Sequence, residues 1–137
     1  MEAFQVHILA ADKNFYEGPC LSLTINTTDG ELGILAHHSN MIAAIQPGML
    51  RYQVPGEEPC HAAISPGMVK VEYNDVLVLV DSVERPEEID AARAQREIDE
   101  AREILLQKRS RQEHRIAEAT MARALNRLRV KNMGIGQ

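Results

Sequence analysis

The composition of the chain changes at Pro86, and this break limits the folds that the sequence can adopt. Between Pro86 and Gly134 there is neither glycine nor proline, and alanine, glutamate, arginine and leucine dominate. These residues favour helices. Before Pro86, glycine and proline recur between short apolar stretches, which is typical of strands joined by turns. The sequence therefore predicts two domains of different structure, residues 1–84 and residues 85–137.

Residues 1–84 carry the alternation of apolar and polar side chains that half-buried strands show. FQVHI (residues 4–8) and LSLTIN (residues 21–26) follow this period of two. VLVLV (residues 76–80) is apolar throughout, which predicts a strand buried on both faces. Turn-forming pairs separate such segments: Asp29-Gly30, Pro47-Gly48, Pro55-Gly56, Pro66-Gly67 and Asn74-Asp75. Short strands at this spacing favour a sandwich or a barrel.

Residues 85–137 predict two helices joined by a polar turn. SRQE (residues 110–113) is a capping box, so the second helix should begin at Arg111. Because the turn is short, the helices should lie antiparallel. The apolar positions of both helices include several alanines, which bury little area. Because burial of apolar surface stabilises a contact by about 25 cal/mol per Å², the hairpin should open easily. These positions are Ala94, Ile98, Ala101 and Leu105, then Ala117, Met121, Ala124 and Leu128 with Leu125 beside them.

The net charge of −5 combines two unlike parts. Residues 1–84 carry three basic and eleven acidic side chains, a charge of −8, whereas residues 85–137 carry twelve and nine, a charge of +3. From Lys108 onward the charge is +6. This asymmetry predicts different partners for the two domains. A nucleic-acid binder is disfavoured, because the whole chain is acidic and no aromatic platform accompanies the arginines.

The sequence lacks the usual signs of an enzyme or of a metal site. Its histidines show no ligand spacing with cysteine or acid, so no metal site is expected. We find no phosphate-binding loop, nucleophile elbow or nicotinamide fingerprint. Cys20 and Cys60 could in principle pair, but they should be buried free thiols, because nothing suggests secretion. No apolar run reaches the roughly 18 residues of a membrane span.

Four segments together resemble the epsilon subunits of bacterial F-type ATP synthases. They are GELGILAHHSNMIAAIQPGML, AISPGMVKVEYNDVLVLVDSVER, IDAARA and RALNRLRV, in the family's order and across nearly the whole chain. Ser39-Asn40 and Pro66-Gly67 depart from the family's usual Ala-Pro and Gly-Gly, and both lie in turns. The resemblance implies an α+β, mostly β fold. A flattened antiparallel β-sandwich of about ten strands would be followed by an antiparallel two-helix hairpin.

The resemblance also implies a function. It points to a non-catalytic rotor subunit in the central stalk of a proton- or sodium-translocating ATP synthase. The sandwich would bind the gamma subunit and the c-ring. The hairpin would inhibit ATP hydrolysis when extended against the catalytic alpha and beta subunits. Such a subunit is peripheral on the cytoplasmic face of the bacterial plasma membrane, touches the membrane only through the complex, and needs no cofactor and no nucleic acid.

IDAARA matches the family's nucleotide-binding motif, Ile/Leu-Asp-x-x-Arg-Ala, at every fixed position. The implied regulatory ATP site comprises Glu84, Ile89, Asp90, Arg93, Ala94, Arg123 and Arg127. Asp90 would accept from adenine or ribose, and the arginines would donate to phosphate. Glu100 stands where ATP-binding members carry a basic residue, which predicts weak binding. The alternative is that Asp90 and Arg93 are an ordinary acidic helix start and its neighbour.

Two further residue sets follow from the resemblance. Glu31 and His38 match the loop that faces the c-ring, so they should lie exposed and close together at the base of the sandwich. The inhibitory surface of the second helix would comprise Arg115, Arg123, Arg127, Leu125 and Leu128. A stand-alone nucleotide-sensing protein of the same fold is the alternative function. Co-purification with a membrane-extracted ATPase would separate the two.

Overall fold

Ten strands are followed by two helices in the computed structural model of the chain, which describes the backbone of residues 2–135 and the side chains of residues 2–133. Residues 136–137 of the predicted helical domain lie outside it. Internal contacts divide the chain after Glu84 into a sandwich unit, Met1–Glu84, and a hairpin unit, Arg85–Gln137.

One ten-stranded sheet forms the sandwich unit. Its strands are β1 (Phe4–Ala10), β2 (Asn14–Cys20), β3 (Ser22–Thr27), β4 (Gly30–Leu35), β5 (Met41–Ile45), β6 (Gly48–Gln53), β7 (Cys60–Ile64), β8 (Gly67–Glu72), β9 (Asp75–Val80) and β10 (Val83–Glu84). They are ordered β10-β7-β6-β3-β5-β8-β9-β1-β2, and β4 pairs with β3. Within residues 2–135 the pairings are antiparallel except that of β1 with β9.

The core of the sandwich unit lies between the inward faces of the strands. In β1, Phe4, Val6 and Ile8 are buried, whereas Gln5 is exposed and His7 is half-buried. Because side chains alternate along a strand, one face of β1 is inward and the other is outward. The inward side chains of the other strands join the same cluster, including Leu23, Ile25, Leu50, Val69 and Val71. The predicted fold of strands followed by helices is therefore confirmed.

Strand β9 is not buried on both faces, so that prediction from VLVLV was wrong. Val76, Val78 and Val80 are buried, but Leu77 is half-buried and Leu79 is 38% exposed. An all-apolar run indicates double burial where helices cover both faces of a sheet. Here β9 lies between β8 and β1 in the sandwich unit, where one face of the strand packs into the core and the other points outward.

Both cysteines lie in the sandwich unit and are free thiols, as predicted, but Cys60 is half-buried and not buried as expected. The Cys20 side chain is fully buried, and its Sγ donates to the carbonyl oxygen of Ser22 over 3.0 Å. Burial raises the pKa of the Cys20 thiol. Since the thiolate is the reactive form, Cys20 is a structural residue of the core.

In the hairpin unit a 3-10 turn, Pro86–Glu88, precedes α1 (Ala91–Leu106) and α2 (Arg111–Ile135). The predicted start of the second helix is confirmed: Ser110 Oγ accepts from the Glu113 backbone N–H over 3.1 Å. The helices meet through Ala94, Ile98 and Ala124, with Met121 and Leu128 packed against this cluster.

At the end of the hairpin away from the turn between the helices, Nζ of Lys131 donates to the carbonyl oxygen of Pro86 over 3.1 Å. Neither helix in the described part of the chain is both long enough and apolar enough to cross a membrane.

His7 links three strands of the sandwich unit and should make its stability depend on pH. Its Nδ1 lies 2.9 Å from Oε2 of Glu17 on β2, and its Nε2 lies 3.1 Å from Oδ1 of Asp75 on β9. The hydrogen bond to Glu17, followed by the contact with Asp75, raises the pKa of His7 above its ordinary 6.5. The folded state therefore binds the proton more tightly than the unfolded state does. The resulting stabilisation is complete below the unfolded pKa and is lost as pH rises through the folded pKa.

We expect His7→Gln to remove this loss of stability above pH 6.5. The measurement is the free energy of unfolding in urea between about pH 5 and pH 9, with unfolding monitored by the strand signal in circular dichroism. His61→Gln is the control, because His61 is a half-buried strand histidine without an ion pair among the described residues. An equal pH dependence in the parent and in His7→Gln would contradict the prediction.

Candidate functional site

The IDAARA motif surrounds the start of α1. Asp90 is the N-cap, and its Oδ1 accepts from the Arg93 backbone N–H over 3.1 Å. Ile89 and Ala94 are buried, and Ala94 belongs to the cluster where the two helices meet. Asp90 and Arg93 are exposed. The motif thus combines a helix cap with two buried apolar side chains and an outward arginine.

Glu97 joins the two helices through Arg93 and Arg127. The Nε of Arg93 lies 3.2 Å from Oε1 of Glu97, one turn further along α1. The Nη1 of Arg127, on α2, lies 3.5 Å from Oε2 of the same carboxylate. The structure therefore brings together two of the three arginines predicted for the nucleotide site, with a carboxylate between them.

Arg123 lies apart from this pair of contacts. Its Nη2 donates to Oγ1 of Thr120 on its own helix over 3.5 Å, and the residue is exposed. Thr120 lines a cleft of about 210 Å³ between the helices. Arg123 is thus on the same helix as Arg127 but has a different described partner.

The cleft between α1 and α2 is lined by carboxylates and by mostly apolar side chains. Its carboxylates are Glu97, Glu100 and Glu113, and its other lining residues are Ala101, Ile104, Ile116, Ala117 and Thr120. The hydrogen bond from Arg109, with that of Ser110, holds the pKa of Glu113 below its ordinary value. These charges do not favour a phosphate inside the cleft itself, because phosphate is also anionic.

Glu84 is the last residue of β10 and belongs to the sandwich unit, where it pairs with Ala63 of β7. It is half-buried. The remaining residues predicted for the nucleotide site belong to the hairpin unit. Their assignment to a nucleotide stays a prediction.

The residues predicted to face the c-ring lie in β4 and in the segment that follows it. Glu31 is exposed near the start of β4, and its Oε1 lies 3.0 Å from Nη2 of Arg51. His38 is half-buried and follows the other end of β4, where its backbone N–H donates to Leu35. The four residue steps from Glu31 to Leu35 along β4 correspond to about 13 Å. The closeness of Glu31 and His38, and their contact with the c-ring, stay predictions.

The residues predicted for the inhibitory surface divide into an outward and an inward set. Arg115 and Arg123 are exposed, and Leu125 is 47% exposed. Leu128 packs against the Ala94–Ile98–Ala124 cluster, and Arg127 contacts Glu97. In this closed hairpin, Leu128 and Arg127 are engaged within the unit, while the other three are presented outward.

Glu97 was missed as a site residue from sequence. The spacing of Arg93 and Glu97, four apart on a helix, predicts a surface ion pair, and that pair is present at 3.2 Å. The contact with Arg127 joins residues 30 positions apart. No local pattern predicts such a pair, so the grouping of Arg93, Glu97 and Arg127 is visible only in the packed hairpin.

Comparison with known proteins places both units in one family. The family model for the beta-sandwich domain of the ATP synthase delta/epsilon chain matches residues 3–86. The model for its long alpha-helix domain matches residues 87–132. An ATP synthase epsilon chain of Caldanaerobacter subterraneus is 39% identical over 130 residues, covering 94% of each chain. That of Ruminococcus albus is 39% identical over 133 residues, covering 96% of this chain and 98% of the relative.

Solved structures share the fold. A chain in the cryo-EM structure of the Euglena gracilis mitochondrial ATP synthase superposes with a TM-score of 0.80 at 23% identity, over 89% of this chain and 77% of that one. A chain in the central stalk and c-ring structure of the Tetrahymena thermophila enzyme gives a TM-score of 0.64 at 14% identity, over 93% and 95%. The architecture agrees with the two domain matches, and the chain belongs to the ATP synthase delta/epsilon family.

Proposed function

We propose that this chain is the epsilon subunit in the central stalk of a bacterial F-type ATP synthase, a rotor part without catalytic activity of its own. The observation that carries the proposal is the family match across both units, at 39% identity to chains of that name. The sandwich unit would bind the gamma subunit and the c-ring. The chain would then be peripheral, on the cytoplasmic face of the plasma membrane.

The c-ring contact is assigned to the two ends of β4. Glu31 is exposed at one end, with Arg51 beside it, and His38 follows the other. An exposed carboxylate next to an arginine offers both a hydrogen-bond acceptor and donors to a polar loop. Glu31 is the more accessible of the two residues and therefore the stronger candidate for the contact.

The hairpin unit would inhibit ATP hydrolysis when its helices separate and α2 reaches the catalytic subunits. The composition of the helix contact supports this, because its alanines, Ala94 and Ala124, each bury little area. The charge supports it too: from Lys108 to the end the chain carries +6, which suits acidic surfaces. Arg115, Arg123 and Leu125 would make the first contacts, since they already point outward.

ATP would act as a regulator that favours the closed hairpin. Arg93 and Arg127 come from different helices and converge on one carboxylate, so a polyphosphate that binds both arginines requires the closed form. A ligand that binds only one of two states shifts the equilibrium toward that state. ATP binding would therefore oppose inhibition.

We expect the full chain to bind ATP weakly, with a Kd of about 1 mM, or roughly −4 kcal/mol. Arg93→Ala should weaken binding about fivefold or more, because one charge-assisted donor is lost. Isothermal titration calorimetry measures both constants. Arg96→Ala is the matched control, since Arg96 is an exposed arginine on the same helix and outside the motif.

The nucleotide part of the proposal is contradicted by equal affinity in the parent and Arg93→Ala. In that case Asp90 and Arg93 serve only as the start of α1, the role that the cap hydrogen bond already gives Asp90. The rotor assignment is tested separately by whether the chain co-purifies with the membrane-extracted ATPase.

A further inference from the structure

Glu97 holds two arginines from two helices with its two oxygens. Oε1 faces Nε of Arg93 at 3.2 Å, and Oε2 faces Nη1 of Arg127 at 3.5 Å. The side chains of Glu97 and Arg127 are 24% and 27% exposed, whereas that of Arg93 is 70% exposed. The carboxylate therefore lies at a partly dehydrated position between the helices, where charges are less screened than at the open surface.

We propose that Glu97 is an internal anion that occupies the place where a nucleotide phosphate would bind, and that it holds the hairpin closed in the absence of nucleotide. This inference rests on the nucleotide site proposed above. A carboxylate and a phosphate both recruit guanidinium groups through paired oxygens, so they compete for the same donors. Glu97 would thus replace the ligand in the empty state and oppose its entry.

The electrostatics of the closed hairpin favour such a role. Removing the charge of Glu97 would take away the anion that joins two arginines of different helices, which weakens the helix pair. With Glu97, the group of three carries one net positive charge. A phosphate that approaches the arginines then meets a carboxylate already in contact with both. Either the carboxylate must move away or the ligand must bind beside a like charge, and both alternatives weaken binding.

Glu97 is better placed for this role than Glu100. Glu100 is exposed and lines the same cleft, but its carboxylate forms no ion pair with Arg93 or Arg127 among the described residues. Its effect on a phosphate would be repulsion through partly screened space. Glu97 adds direct competition for the donors. We therefore assign the larger part of the low nucleotide affinity to Glu97.

The regulatory consequence concerns the closed form. A hairpin closed by an internal carboxylate does not require ATP to stay closed, so the resting state would depend only weakly on ATP concentration. A ligand at concentration c stabilises the state that it binds by RT ln(1 + c/Kd), so the effect of ATP becomes appreciable only when its concentration approaches Kd. Raising Kd through Glu97 moves that response to higher ATP concentration.

Glu97→Gln in the full chain tests the proposal, because glutamine keeps the shape and removes the charge. We expect ATP to bind about tenfold more tightly. The substitution removes the two partly exposed ion pairs of Glu97 that compete with phosphate, and it removes the repulsion between the carboxylate and phosphate. We also expect the backbone amides of α1 and α2 to exchange hydrogen about threefold faster without nucleotide, and ATP to slow them again. Glu103→Gln is the control, since Glu103 is an exposed carboxylate of α1 outside the cleft. It should alter neither quantity.

The outcomes separate this inference from the nucleotide function itself. If the parent binds ATP and Glu97→Gln binds no tighter, Glu97 is not a competing anion, while the nucleotide function stands. If neither chain gives heat at about 5 mM ATP, the nucleotide function fails and the competition fails with it. If only Glu97→Gln binds ATP, the inference holds, and Glu97 prevents ATP binding in the parent. Unchanged amide exchange in Glu97→Gln, with helix content intact by circular dichroism, would overturn the closing role.

Discussion

A chain that stops after Glu84 is expected to fold, to assemble into the ATP synthase and to raise ATP hydrolysis severalfold while synthesis continues. The whole buried cluster of the sandwich unit lies between Phe4 and Val83, so the truncation removes none of its members. The last strand, β10, is also kept with its partner β7. The truncation removes both helices, and with them the proposed inhibitory surface and its positive charge.

Membranes that carry the complex with this truncated chain provide the measurement, through ATP hydrolysis and through synthesis driven by an ion gradient. A second truncation after Gln107 keeps α1 and removes α2. It should raise hydrolysis as much as the first if α2 carries the inhibition. Failure of the first truncation to assemble would show that the sandwich unit is not sufficient for stalk binding. Assembly without any rise in hydrolysis would reject the inhibitory role of the hairpin.

Gly67→Ala is expected to destabilise the sandwich unit by about 3 kcal/mol or more. Gly67 opens β8 and lies opposite Val80 of β9. A Cβ at Gly67 would stand 1.9 Å from the Leu79 carbonyl oxygen and 2.8 Å from the Val80 Cα. Both are backbone atoms, which cannot rotate away, so β8 and β9 must separate. Since domains of this size are stable by only about 5–15 kcal/mol, much of the total stability is at risk.

Urea unfolding of the full chain measures this loss. Gly33→Ala is the matched control: Gly33 also lies in a strand, β4, and no heavy atom lies within 4 Å of an added Cβ. Its unfolding free energy should stay within about 0.5 kcal/mol of the parent's. A Gly67→Ala chain as stable as the parent would mean that β8 and β9 tolerate a wider spacing than the structure gives them.

Local patterns were sufficient to predict the main elements. The alternation in FQVHI predicts β1, and the observed strand runs Phe4–Ala10 with Phe4, Val6 and Ile8 inward. The SRQE segment predicts a helix from Arg111, and Ser110 caps it there. These predictions succeed because strand alternation and helix caps depend on residues that lie only a few positions apart in the sequence.

Local patterns failed where distant segments meet. VLVLV does not reveal that one side of β9 is outward, since that depends on what covers the sheet. IDAARA marks Arg93 as a binding residue, but not the fact that the carboxylate it contacts, Glu97, also contacts Arg127 of α2.

By itself the sequence determined the elements, their order and the division after Glu84, because composition and periodicity act over a few residues and state how each segment prefers to bury its apolar side chains. The family resemblance in the same residues pointed to the nucleotide motif. Only the tertiary structure decided that β1 pairs in parallel with β9, and that Arg93 and Arg127 converge on Glu97. The Arg127–Glu97 contact and the β1–β9 pairing join residues 30 and about 70 positions apart, and their geometry follows from the packing of whole elements, which no local pattern encodes.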